Sequence, residues 1–159
     1  MNINIICIGK LKEKYWQAAV AEYTKRIGGY ARIQIVELKE AKLPKNASPA
    51  DEAQVMEKEG ESILAKVSDS DYVIAMEVEG KMLDSVELSR QLSRTFDSGH
   101  STVDFIIGGS LGLSPAVKKR ADFGLSFSRM TFPHQMARVL LLEQVYRSFK
   151  IMNNETYHK

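Results

Sequence analysis

Phe105-Ile-Ile-Gly-Gly-Ser-Leu-Gly-Leu-Ser-Pro115 decides how this chain is read, because an apolar strand runs there into glycines and then into a helix start. Ser114 suits the N-cap of that helix and Pro115 its first turn. A strand that hands over to a helix within a few residues is the unit of a parallel sheet with crossover connections. Gly108, Gly109 and Gly112 allow the backbone to approach a ligand or to take positive φ. Two readings of the loop stand side by side: a cradle for a nucleotide-like cofactor, and a plain tight turn between strand and helix.

The same alternation extends outward in both directions. The pattern predicts strands over residues 2–8, 32–38, 72–78, 102–107 and 123–127. Between them it predicts helices over residues 13–27, 50–66 and 84–96, and a last helix from Pro133 to about Met152. Tyr15, Ala18, Ala19, Glu22 and Tyr23 mark the first helix by their spacing, and Gly28-Gly29 stops it. Asp84 with Glu87 three residues on has the form of a capping box. Lys39 to Pro49, polar and with two prolines, reads as a surface loop. No repeat and no dividing linker is present, so the expectation is one domain over residues 1–159, a single-domain α/β sandwich around a largely parallel sheet.

Composition narrows the function only slightly. The single cysteine, Cys7, lies in the first strand, which excludes a disulfide framework or a cysteine metal cluster and suggests a small buried hydrophobe. The apolar opening is too short for a signal-peptide core and has no basic leader, and no stretch approaches a membrane span, so cytoplasmic residence is the default. The net charge is +2, but residues 115–159 hold 8 Lys/Arg against 3 Asp/Glu. A polyanion is therefore expected to meet the C-terminal portion, with a merely solvated basic face as the alternative.

Two motif readings compete at the glycine loop. A dinucleotide fingerprint fails, because the glycines are spaced GGxxG, lie late in the chain and lack the acidic partner after a second strand. A nucleophile elbow matches as Gly108-Gly109-Ser110-Leu111-Gly112, with Asp122 and His134 following in the order of an α/β-hydrolase. That makes a serine hydrolase using Ser110 the alternative, although such close spacing leaves little room for the usual intervening strands. A second loop, Ser128 to Gln135, precedes the last helix. Arg129 and His134 flank the helix start, where free N–H groups can meet a polar or anionic ligand.

The last helix is unusually apolar. Val139-Leu140-Leu141-Leu142 covers a full turn without a polar residue, and Met136, Val145, Tyr146, Phe149 and Ile151 extend the apolar surface to more than one side. Burial against both its own sheet and a second subunit is expected.

Taken together, the first strand ending in Ile8-Gly9-Lys10, the Gly108-to-Leu113 loop, the run Leu125-Ser-Phe-Ser-Arg-Met-Thr-Phe-Pro-His-Gln-Met136 and the ending Tyr157-His158 resemble one known family across the whole chain. It is the SPOUT-class family of ribosomal RNA large-subunit methyltransferases acting at N3 of a pseudouridine (RlmH type). The resemblance implies a C-terminal deep trefoil knot, a homodimer, S-adenosylmethionine as cofactor without a metal, and the ribosomal RNA of the assembled ribosome as substrate. It implies cofactor contacts from Met76, Gly108, Phe127, Ser128, Arg129, Met130, Thr131 and Phe132. Met76 stands where leucine is expected, a change that keeps apolar bulk. Arg129, Tyr157 and His158 are the candidate catalytic residues: Arg129 to orient phosphate or base, and the C-terminal pair to hold the target. A ribosome-binding factor that keeps the fold without catalysis is a further alternative.

Overall fold

The computed structural model describes residues 1–159 and contains five strands and five helices in alternation. In chain order they are β1 (Asn2–Ile8), α1 (Lys14–Ile27), β2 (Arg32–Leu38), α2 (Pro49–Leu64), β3 (Tyr72–Met82), α3 (Ser85–Asp97), β4 (Thr102–Ile107), α4 (Pro115–Arg120), β5 (Phe123–Ser126) and α5 (His134–Met152). All pairings are parallel, in the order β2-β1-β4-β3-β5. The fold is thus the expected α/β sandwich. The knot implied by the resemblance is compatible with this order, in which β5 lies beside β3 rather than beside the preceding β4.

Strand alternation divides the core into two layers. Ile3, Ile5 and Cys7 of β1, with Val103, Phe105 and Ile107 of β4, face the layer covered by α1, α3 and α5. Ile6, Ile8, Val73, Ala75 and Ile106 face the opposite layer, with Ile63 of α2 and Val117 of α4. Cys7 is fully buried, its thiol pushed up to about 11 by desolvation, in keeping with a structural hydrophobe.

Of the boundaries that differ from the sequence reading, three have a visible physical cause. Helix α2 opens at Pro49 because Ser48 caps it: the Asp51 N–H donates to the Ser48 hydroxyl, and the Asp51 carboxylate accepts from the Ser48 N–H. Strand β3 continues to Met82 through an irregularity in which Met76 and Lys81 both lie opposite Leu125. Residues 77–80 are thereby pushed out of the ladder. Helix α5 begins one residue later than expected, with Pro133 as its cap in an extended conformation. The Asp84–Glu87 capping box is present as read, with bonds of 2.7 and 2.8 Å.

Helix α5 owes its apolar character chiefly to its own chain. It packs between α1 and α3 on the sheet, and Leu141, Leu142, Val145 and Phe149 are fully buried. Arg138 is buried with them. It donates 2.8 Å to Glu37 at the end of β2 and 3.2 Å to the carbonyl of Gly9, whose φ of +90° ends β1. On this helix only Met136 and Leu140 remain as exposed large apolar side chains.

Asp104 on β4 is fully buried; one carboxylate oxygen accepts from Asn4 at 2.8 Å and the other has no partner. Desolvation, with the nearby Asp71 carboxylate adding to it, raises its pKa to about 6. The folded chain therefore holds this proton more tightly than the unfolded chain, and stability from this group is lost as pH rises through about 6. Asp104→Asn keeps the Asn4 bond without a charge. Calorimetry should show it stabilised by about 1–2 kcal/mol at pH 8, with no gain at pH 4.5.

Candidate functional site

Three loops meet at the C-terminal edge of β4, β3 and β5, the edge at which open α/β sheets bind ligands. After β4 the chain folds back on itself: Gly109 and Gly112 form a short antiparallel bridge, and the Gly112 N–H donates 3.1 Å to the Gly109 carbonyl. Gly112 takes a φ of +85°, which a residue with Cβ resists. At Gly108 the constraint is contact. A Cβ there would lie 2.9 Å from the carbonyl carbon of Gly112 and 3.0 Å from Leu113 Cδ2. The glycine is required by the loop's own closure before any ligand arrives.

After β5, serines shape the second loop. The Ser126 hydroxyl donates 3.0 Å to the Ser128 carbonyl, and the Ser128 hydroxyl accepts 3.0 Å from the Met130 N–H. This turn aims residues 127–132 over the sheet edge. The third wall is the expelled segment of β3. Gly80 lies so close to β5 that a Cβ would stand 2.7 Å from the Leu125 carbonyl carbon, which presses Glu77, Val78 and Glu79 outward. Lys118 of α4 lies 3.7 Å from Glu77 and 3.9 Å from Glu79, and so neutralises part of this acidic lip.

These loops enclose a cleft of about 780 Å³, within the size range of small-molecule sites. Met76, Gly108, Phe127, Ser128, Met130, Thr131 and Phe132 all line it. Arg129 belongs to the same loop but projects at the rim, exposed. His134 also lines the cleft, as do Glu77, Glu79 and Lys118, which the sequence reading did not single out. The position of Glu77 and Glu79 depends on the β3 irregularity, which no local sequence signal reveals.

Tyr157 and His158 lie elsewhere within the chain. The Tyr157 hydroxyl donates 3.1 Å to Glu143, its ring stands 4.9 Å from that of Tyr146, and the Arg147 guanidinium lies 4.6 Å over it. His158 Nδ1 is 3.4 Å from Arg147. Glu143 also accepts 3.0 and 2.6 Å bonds from Arg147, so the tail is docked on an ion pair rather than loose. Burial, and then the Glu143 carboxylate, hold the Tyr157 phenol above its ordinary range, so it remains a donor. Glu143 is six residues beyond Ala137, the last α5 residue on the cleft wall, about 9 Å along the helix, and neither Tyr157 nor His158 lines the cleft. The tail therefore does not enter the cleft of its own chain.

The hydrolase alternative is overturned by position. Ser110 and His134 are in the cleft, but Asp122 precedes β5 and accepts 2.8 Å from the Val73 N–H at the opposite edge of the sheet. The length of β5, about 13 Å, separates it from the serine loop. No group of three or more His, Cys, Asp and Glu side chains comes together as a metal site.

Because Gly108 meets its own loop, Gly108→Ala should cost about 1–3 kcal/mol of stability and weaken ligand binding together. Thermal unfolding without ligand should already show the loss. A variant that unfolds normally but no longer binds would return the role of Gly108 to ligand space alone.

A family described as "Predicted SPOUT methyltransferase" matches residues 1–158. Curated relatives include ribosomal RNA large subunit methyltransferase H 1 of Clostridium perfringens strain SM101, 53% identical over 159 residues and covering 100% of both chains. The methyltransferase H proteins of strains ATCC 13124 and 13 of the same species are equally similar, at 53% over the full length. Matched by the family over residues 1–158 and by these relatives over its full length, this chain belongs to the SPOUT methyltransferase family.

Proposed function

We propose that this protein transfers a methyl group from S-adenosylmethionine to N3 of a pseudouridine in large-subunit ribosomal RNA, on the assembled ribosome and hence in the cytoplasm. The observation that carries the reading is the loop-walled cleft at the strand ends, in a chain of methyltransferase family whose full-length relatives are named for ribosomal RNA.

The cleft fits the cofactor chemically. Met76, Phe127, Met130 and Phe132 offer apolar surface for an adenine ring, and the glycine loop offers backbone groups for its polar edge. Glu77 and Glu79 supply negative charge beside a cationic ligand, and Lys118 supplies the positive charge a carboxylate needs. When bound, S-adenosylmethionine supplies a methyl group already activated by its sulfonium, so no metal is required. The chain's own task is alignment of the target nitrogen and removal of its imide proton. Arg129 at the rim orients the phosphate or base, Tyr157 stacks on or hydrogen-bonds the target, and His158 orients the base or accepts its proton.

A homodimer reconciles those roles with the distance between the tail and its own cleft. Met136, Leu140, Glu143 and Arg147 share one outward stripe of α5. An antiparallel two-fold contact centred near Leu140 would set Arg147, with Tyr157 on it, opposite residue 133 of a second copy, where that copy's cleft opens. Each tail would then complete its neighbour's site.

Incubation with methyl-labelled S-adenosylmethionine and separated ribosomal particles should label one pseudouridine in large-subunit RNA. Removing residues 157–159 should leave cofactor affinity within a few-fold and cut transfer about a hundredfold. Cofactor and particle binding without any transfer would instead indicate a ribosome-binding factor. Separately, Met136→Glu with Leu140→Lys should convert a particle of twice the chain mass into a folded monomer without transferase activity. These positions are exposed, unlike Leu141 and Leu142, where a charge would unfold the chain. A monomeric wild-type protein would remove the dimer from the reading.

A further inference from the structure

The edge of the sheet that bears the cleft also carries charge that cofactor binding does not use. The β1–α1 and β2–α2 connections leave from that edge, and the strand order sets them beside the glycine loop. Lys10, Lys12 and Lys14 lie at the first connection, and Lys39, Lys42 and Lys45 on the second. All six are exposed and none is in an ion pair, while only Glu13 and Glu40 oppose them on these segments. On the opposite edge Asp69, Asp71 and Asp122 stand with Lys66, Arg32 and Arg120, the last bonded to Asp122 and to the Ser68 and Asp71 carbonyls.

The C-terminal stretch, where composition put the basic surplus, has largely spent it inside the molecule. Lys118, Arg120, Arg138, Arg147 and Lys150 are all paired with carboxylates. Apart from Arg129 at its rim, the free positive charge next to the cleft comes from the first third of the chain.

Both lysine-bearing connections are pinned to the body. The Leu11 N–H donates 3.2 Å to Glu37, and the Gln17 amide donates 2.8 Å to the Leu11 carbonyl, so Lys10 and Lys12 flank a fixed, buried residue. On the second connection the Ala41 N–H donates 3.3 Å to the buried Glu59. The Glu59 carboxylate in turn lies against Gly109, 3.2 Å from where a Cβ would be. Lys39 and Lys42 thus flank an anchor that touches the cofactor loop itself. Held backbone lowers the ordering cost when the side chains meet a partner. Strands about 4.8 Å apart put β2 roughly 10 Å from β4, which is within reach of one bound RNA segment.

We infer that the β1–α1 and β2–α2 connections form a phosphate-docking surface that grips the backbone of ribosomal RNA next to the nucleotide entering the cleft. The inference rests on the ribosomal RNA reading above and specifies how that substrate is held. Lysines act there as point charges, so they position the RNA without reading its bases.

Two charge-reversed variants test it, Lys10→Glu with Lys12→Glu and Lys39→Glu with Lys42→Glu, measured on whole protein with ribosomal particles. Each pair should raise KM for particles about tenfold or more and reduce the salt dependence of log(kcat/KM) by about 1–2 in slope. Cofactor affinity and kcat should stay within about twofold. Lys66→Glu, on the opposite edge, should change none of these. Unchanged KM and salt slope in both pairs would overturn the surface, as would an equal effect from Lys66→Glu. A wild-type protein that binds particles through these lysines without methylating them would overturn the enzymatic reading and leave the surface standing. One that neither binds nor methylates them would overturn both.

Discussion

Parallel strands cannot be closed by hairpins, so the five are joined by four crossovers, and every strand hands its chain on at the same edge of the sheet. This constraint organises the molecule. It gathers the glycine loop, the serine turn, the outward-pressed segment of β3 and the two lysine-bearing connections at one end, although they are far apart in sequence. It also sends Asp122 to the other end, so a sequence order that suits a hydrolase cannot become a catalytic triad.

Charge placement follows the same geometry and corrects a reading of composition alone. Arg138 counts toward a basic tail in the sequence, yet it lies in the core, bound to Glu37 and to the Gly9 carbonyl, and its Nε has no partner. The pair is buried only on the arginine side, Glu37 being a third exposed, so it adds little net stability, but losing Glu37 costs several kcal/mol because the buried Arg138 charge is stranded. Its geometric effect is to tie the first turns of α5, and with them the loop that forms the cleft, to the ends of β1 and β2. The exposed lysines do the opposite, remaining free because no carboxylate is near enough to claim them.

What was legible in the sequence is what depends on neighbours in sequence. The limits of β1, β2 and β4 match the apolar runs that define them, and the Asp84–Glu87 and Ser114–Pro115 helix starts follow from side chains that bond within a turn. The second loop and the glycine loop were recognisable as site segments for the same reason. The remainder was hidden because it arises between distant segments. Strand β3 could not be followed past Val78 without knowing that Gly80 would press against Leu125. Glu77 and Glu79 reach the cleft through that contact, where Lys118 of α4 meets them. The docking of Tyr157 on Glu143 and Arg147 likewise depends on a turn after α5 that the sequence does not announce.

The pairing of β1 with β4 carries a kinetic consequence. Asn2 lies opposite Thr102 and Ile5 opposite Phe105, partners a hundred residues apart, and β5 joins the sheet only after β4. Contacts of such separation form late and slowly, since the loop they close must be ordered before they stabilise anything. During synthesis, β1 and β2 with α1 can associate early, but the central strand and the edge that holds the cleft are supplied by the last third of the chain. A growing polypeptide therefore has no complete cleft until synthesis is nearly finished.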